Sequence, residues 1–148
     1  MEKKAHDDYN KILVEVKKSI GNKTTYGHTL QKESIKHLGY RFKGVFASDK
    51  IPKLNKLRSF AILNLDNSNQ PGSHWIAVAL DGKNLIVYDS FGRNHTKIIP
   101  NLKTEFRGKI LNTDRDPEQR KDEFNCGQRA LSFLIFFQKY GAKRAMLI

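Results

Sequence analysis

Residues 126 to 140, Cys126-Gly127-Gln128-Arg129 through Tyr140, constrain the fold most, because their apolar positions follow a helical step. Ala130, Leu131, Phe133, Leu134, Phe137 and Tyr140 recur at three- and four-residue intervals and so share one helix face, with Gly141 suited to end the helix. A face this apolar must be buried against another layer. The only cysteine of the chain opens the helix. A thiol there lies among backbone N–H groups without intrahelical partners, near the positive end of the helix dipole. Both favour the thiolate, which is the nucleophilic form. Gly127 has no Cβ, which would let a substrate backbone approach the sulfur. A lone cysteine more commonly just packs, so the case for chemistry depends on what lies upstream.

Upstream, Tyr9, Ile12, Leu13, Val16 and Ile20 form an amphipathic stripe ended by Gly21-Asn22. Thr29 is placed to cap a second short helix carrying Leu30, Ile35 and Leu38, with Gly39 closing it. Residues 40–52 read as loop with a short strand, and Ser59 to Leu65 as a buried strand followed by the turn-rich Asp66 to Gly72. His74 to Leu80 and Asn84 to Asp89 form a hairpin through Asp81-Gly82-Lys83. Pro100 interrupts any helix between Thr96 and Phe106, and Lys109 to Asn112 offers one more strand. The order predicts a single α+β domain over residues 1–148, with residues 1–28 as N-terminal helix and lead-in. Its mainly antiparallel central sheet packs against the buried helix that carries Cys126 at its N-terminus.

At 148 residues one domain with a real core is expected. A single cysteine excludes an intramolecular disulfide and a cysteine-rich zinc site, and the five histidines are scattered without an HExxH, so neither a metal centre nor a cofactor is expected. No apolar run is long enough for a membrane span, and Met1-Glu2-Lys3-Lys4 leads into polar sequence, so a soluble protein of a reducing compartment is expected. The net charge of +12 draws the chain toward polyanions, nucleic acid first, although its lysines and arginines are dispersed in small groups.

The hairpin supplies what Cys126 needs. His74 begins one strand and Asp89 ends its partner, so the two meet at one end of the ladder. A carboxylate that orients an imidazole, beside a thiol at a helix N-terminus, is the arrangement of a thiol hydrolase. Gln119, seven residues before Cys126, is placed to aim its amide at an oxyanion, with the Cys126 backbone N–H as second donor.

These residues carry a resemblance. Gly44-Val45-Phe46, Asp49-Lys50-Ile51-Pro52, Ile62 to Asp66, Gly72-Ser73-His74-Trp75, Tyr88-Asp89-Ser90-Phe91-Gly92, Gln119 and Asn125-Cys126-Gly127 resemble the adenovirus maturation protease (adenain) group and the related ubiquitin-like-protein-specific proteases. The pattern is most similar to the adenain-like proteases of virophages and Polinton-type transposons, and spans roughly residues 29 to 138. The order His, Asp, Gln, Cys, with the glutamine seven before the cysteine, is its most specific feature. The resemblance implies a cysteine endopeptidase with Cys126 as nucleophile, His74 as base and then acid, Asp89 as orienter and Gln119 as oxyanion donor. Trp75 and Gly127 would then face substrate. It further implies cleavage after glycine in capsid or other virion precursors, in the virion or host-cell interior, without a metal or cofactor and with DNA as candidate activator through the basic surface. Adenain is also activated by a peptide that disulfide-bonds a second cysteine. This sequence has none, and Glu118 stands where an aromatic often precedes the glutamine.

Two other readings compete. The same machinery serves to cleave ubiquitin-like proteins, whose tails also end in glycine. A non-enzymatic nucleic-acid-binding protein would use the charge of +12 without Cys126, though no RNP, helix-turn-helix or zinc-finger pattern is present.

Overall fold

The computed structural model describes residues 2–54, 59–66, 74–114 and 116–148. The N-terminal stripe forms α1 (Glu2–Ile20), which Gly21 ends at φ 83° with its N–H on the Lys17 carbonyl at 2.8 Å. Then come α2 (Gly27–Leu38), a 3₁₀ turn (Gly39–Arg41), β1 (Phe42–Ala47), β2 (Phe60–Asn64), β3 (Trp75–Asp81) and β4 (Asn84–Tyr88). The chain closes with the short helices α3 (His95–Ile98) and α4 (Leu102–Glu105), β5 (Lys109–Asn112), α5 (Cys126–Tyr140) and α6 (Ala142–Ala145). Much of the expected turn-rich loop after Asp66, including Gly72 and Ser73, lies outside the described residues.

α2 starts two residues before Thr29, which therefore lies inside the helix and caps nothing. Its N-cap is Tyr26, with no side-chain cap bond. The space at this start is tight, since a methyl at Gly27 would lie 3.3 Å from the Trp75 ring. Leu30, Ser34 and Leu38 form its buried face, whereas Ile35 is exposed.

The strands lie side by side in chain order, β1 to β5, in one sheet. That sheet is mixed rather than mainly antiparallel: β3 is antiparallel to β2 and β4, but β1 runs parallel to β2 and β5 parallel to β4. Connection length explains the difference. Asp81 pairs with Asn84, so the hairpin turns on Gly82 and Lys83 alone, with Gly82 at φ 59°, and a two-residue turn permits only antiparallel pairing. The connection 89–108 is long enough to hold α3 and α4 and return β5 in the same sense as β4.

Alternate residues of the central strands face opposite ways, and both faces are covered. Phe60, Ile62, Ala77, Ala79, Ile86 and Tyr88 join the core made with α1, α2 and α5. Ala61, Leu63, Ile76, Val78, Leu85 and Val87 pack instead with Leu54, Ile99 and Leu102. The centre of the first core is Phe133 of α5, stacked on Tyr88 of β4 with ring centroids 4.6 Å apart and planes 1° from parallel. Among the described residues no helix is long and apolar enough to cross a membrane.

Candidate active site

The loop between α1 and α2 is fastened to the start of α5. Gln128 Nε2 donates to the carbonyls of Gly21 and Lys23 at 2.9 and 2.7 Å. Asn125, fully buried, donates through Nδ2 to Asn22 Oδ1 at 2.8 Å and accepts from Arg129 Nε at 2.9 Å. A buried amide with this many fixed partners holds the first turn of the helix in one orientation. The opening of α5, with Cys126, is thereby positioned against Thr25 and Trp75.

His74 immediately precedes β3 and Asp89 immediately follows β4. His74 Nε2 lies 2.6 Å from Asp89 Oδ1. Continuing the register from Ala77 opposite Tyr88 sets His74 level with Phe91 rather than with Asp89, so the imidazole–carboxylate bond runs diagonally across the sheet end. The Phe91 ring occupies the position opposite and stacks on the imidazole at 4.9 Å. Since Nε2 is taken by Asp89, Nδ1 is the ring nitrogen left for the Cys126 thiol, and the imidazole and thiol shift each other's ionisation.

Arg93 completes the carboxylate's shell. Its backbone N–H and Nε donate to Asp89 Oδ2 at 3.1 and 2.8 Å, and its guanidinium lies over the Phe91 ring. Burial alone would raise Asp89, but hydrogen bonds from His74 and Arg93, and their charges, hold it down at about 2. Burial likewise opposes charge on His74, yet its bonds to Asp89 and Cys126 raise it above the ordinary imidazole value. For Cys126 burial again works against ionisation. The imidazole and the backbone N–H groups of Trp75 and Gly127 outweigh it, and the thiol is lowered. This arrangement favours the ion pair of thiolate and imidazolium.

The depressed Asp89 also makes a stability prediction. A carboxyl that titrates near 2 when folded, against 3.8 otherwise, adds about 2 kcal/mol above pH 3.8. That contribution disappears as the pH falls through about 2. Urea midpoints should fall accordingly between pH 4 and 2 (roughly the two titration points), and Asp89→Asn should flatten that part of the curve.

Gln119 is buried, and both halves of its amide are fixed. Oε1 accepts from Ser90 Oγ at 2.6 Å, and Nε2 donates one hydrogen to the Glu123 carbonyl at 2.7 Å. Ser90 also accepts, through its carbonyl, the backbone N–H groups of Glu118 and Gln119 at 2.9 and 3.0 Å. The second Nε2 hydrogen is left for another acceptor. Burial and the adjacent Asp116 carboxyl push Glu118 up to about 9.

His74, Trp75, Gln119 and Cys126 line one cleft of about 180 Å³, together with Thr25 and Phe124. Phe124 is largely exposed on its rim. Gly127 has a different setting from the one its sequence position suggests. A methyl there would lie 2.6 Å from Thr25 Cγ2 and 2.9 Å from Leu30 Cδ1, so the space that glycine leaves is filled by the protein itself. Of the two expected substrate contacts, Trp75 lines the cleft and Gly127 packs behind it.

Arg93, Ser90, Phe91 and Thr25 carry parts of the site that sequence reasoning missed. The run Asp89-Ser90-Phe91-Gly92-Arg93 held the signal for three of them, since its tight turn brings Arg93 to the carboxylate, Phe91 to the imidazole and Ser90 to Gln119. Thr25 had no such signal. His28 and His37 are exposed, while His95 meets Asn112 Oδ1 at 3.0 Å and does not line the cleft. The histidine–carboxylate group with metal-like spacing, Glu2, His6 and Asp116, is separate from the cleft. No protein-family model matches this chain, and no match is found among curated proteins.

Proposed function

We propose that this protein is a cysteine endopeptidase that cleaves after glycine. The observation that carries the reading is one imidazole held between a buried carboxylate at 2.6 Å and a thiol at a helix N-terminus. In this mechanism the Cys126 thiolate adds to the scissile carbonyl carbon. The negative oxygen is met by the free Nε2 hydrogen of Gln119 and the backbone N–H of Cys126. Imidazolium at His74 gives its Nδ1 proton to the departing amine as the C–N bond breaks, leaving a thioester. His74 then takes a proton from water as its oxygen attacks the thioester carbon; the C–S bond breaks, the acid product leaves and the Cys126 sulfur is restored. Asp89 holds the ring in the one tautomer and orientation that serve both transfers, and Arg93 keeps Asp89 ionised.

The narrow cleft between Thr25, Trp75 and Phe124 favours a residue without a side chain next to the scissile bond. The resemblance to adenain-like proteases extends the proposal to capsid or other virion precursors as substrates, with DNA as an activator drawn by the charge of +12.

The test is incubation with peptides containing Gly-Gly and Gly-Ala junctions, with and without duplex DNA, followed by mass spectrometry of the products. Cleavage after glycine by the wild type, and none by Cys126→Ser, is the expected result. Equal product from both proteins, or none from either in any condition while a ubiquitin-like conjugate is cleaved, would sink the proposal as stated.

A further inference from the structure

On the side of the molecule where α1 begins, four ionisable side chains from two distant segments converge. Glu2 and His6 stand one turn apart on α1 and present their side chains together. Asp116 approaches them from the segment before Gln119, and ligand-type atoms of Glu2, His6 and Asp116 all lie within 4.8 Å of one another. Glu118 is the fourth, with Oε2 3.8 Å from His6 Nε2.

Two features separate this group from an ordinary acidic surface. First, two of its atoms are buried without a hydrogen bond: His6 Nε2 and Glu118 Oε1 are both inaccessible and make none among the described residues. The Glu118 side chain is only 9% exposed, so one carboxyl oxygen is held in the interior without a hydrogen bond among the described residues. Second, the spacing is wrong for hydrogen bonds. His6 Nε2 lies 3.6 Å from Asp116 Oδ2 and 3.8 Å from Glu118 Oε2, beyond the usual N–H···O range. It matches two ligands of one ion, since donors about 2.1 Å from a tetrahedral zinc stand roughly 3.4 Å apart.

We propose that Glu2, His6 and Asp116, with the buried carboxyl of Glu118 beside them, form a binding site for a divalent metal ion of the zinc type. One imidazole with carboxyl oxygens suits Zn²⁺ or Mn²⁺ better than the hard, all-oxygen preference of Ca²⁺. The spacing of histidines along the chain gives no sign of this site, because the fold brings its two halves together from opposite ends of the sequence. Bound there, the ion ties the first turn of α1 to residues 116–118, the approach to Gln119. Binding itself does not depend on the peptidase reading.

The test uses the full chain carrying Cys126→Ser, so that zinc cannot be held by the thiol and His74. Isothermal titration with ZnCl₂ at pH 7.5 (about one unit above the free imidazole value) should give one equivalent bound at micromolar Kd or tighter. In that background, His6→Ala, Asp116→Asn and Glu2→Gln should each weaken binding by roughly tenfold or more. His95→Ala should leave it unchanged. Glu2 is exposed in the first turn of its helix, so Glu2→Gln remains decisive even where a variant at a more buried position fails to fold. Failure of Cys126→Ser protein to take up zinc, or uptake that is equal in Glu2→Gln and His6→Ala, overturns the site.

Discussion

His74→Ala is expected to lower turnover of a glycine-junction peptide by roughly 10⁴-fold or more, because groups that act as a unit lose nearly everything when one is removed. A second readout isolates the cause. In the wild type the imidazole and two backbone N–H groups lower the Cys126 thiol, so its alkylation by iodoacetamide should stay fast at pH 6 (about two and a half units below an ordinary thiol). Without the ring, burial acts on the sulfur with less opposition and drives the thiol upward. An ordinary thiol is on the order of 0.3% ionised at that pH, so labelling should slow by about two orders of magnitude. Unchanged labelling in His74→Ala would mean that the imidazole does not ionise Cys126. The melting temperature provides the control, because it reads the stability lost with the His74–Asp89 bond separately from the labelling rate.

Phe133→Ala is expected to destabilise the protein by about 3–5 kcal/mol, read as a lower urea midpoint. Phe133 is fully buried, lies flat on Tyr88 and touches Phe137. Removing it opens a cavity at the meeting point of α5 and the sheet. Tyr88 also bonds the Tyr9 hydroxyl at 2.8 Å, a contact buried deeply enough to push the Tyr9 phenol up to about 12. The residue after Tyr88 is Asp89. Loosening this stack should therefore lower activity at temperatures where the protein remains folded, because the carboxylate is aimed by the strand end beneath it. A stability loss below about 1 kcal/mol would show that the stack is not the centre of the core.

The local rules were well expressed in the sequence where one principle acted alone. The helical step fixed α5 from Cys126 to its stop at Gly141, and the Asp-Gly signal marked the hairpin. The pairing of His74 with Asp89 followed from the hairpin, although its diagonal path did not. Readings failed where distant packing decided the outcome. Thr29 has the chemistry of a cap, yet α2 begins at Gly27, beside the Trp75 ring, with Tyr26 as N-cap. Strand direction was illegible because β1 and β5 pair after long connections, and no short-range signal distinguishes a parallel return from an antiparallel one. Arg93 looked like one more surface cation among 27 basic residues. Only the turn that brings it back four positions gives it Asp89 as partner.

The order of the elements has a consequence for how the chain is made. Synthesis from the N-terminus completes the hairpin with His74 and Asp89 well before α5 exists. Domains gather their long-range contacts late, and the contact of α5 with β3 spans some fifty residues from Cys126 back to Trp75. Until α5 docks, the thiol has no imidazole beside it and keeps its ordinary, weakly ionised state. In a nascent or half-folded copy the thiol is therefore not lowered, and its shift arrives together with the last large piece of the core.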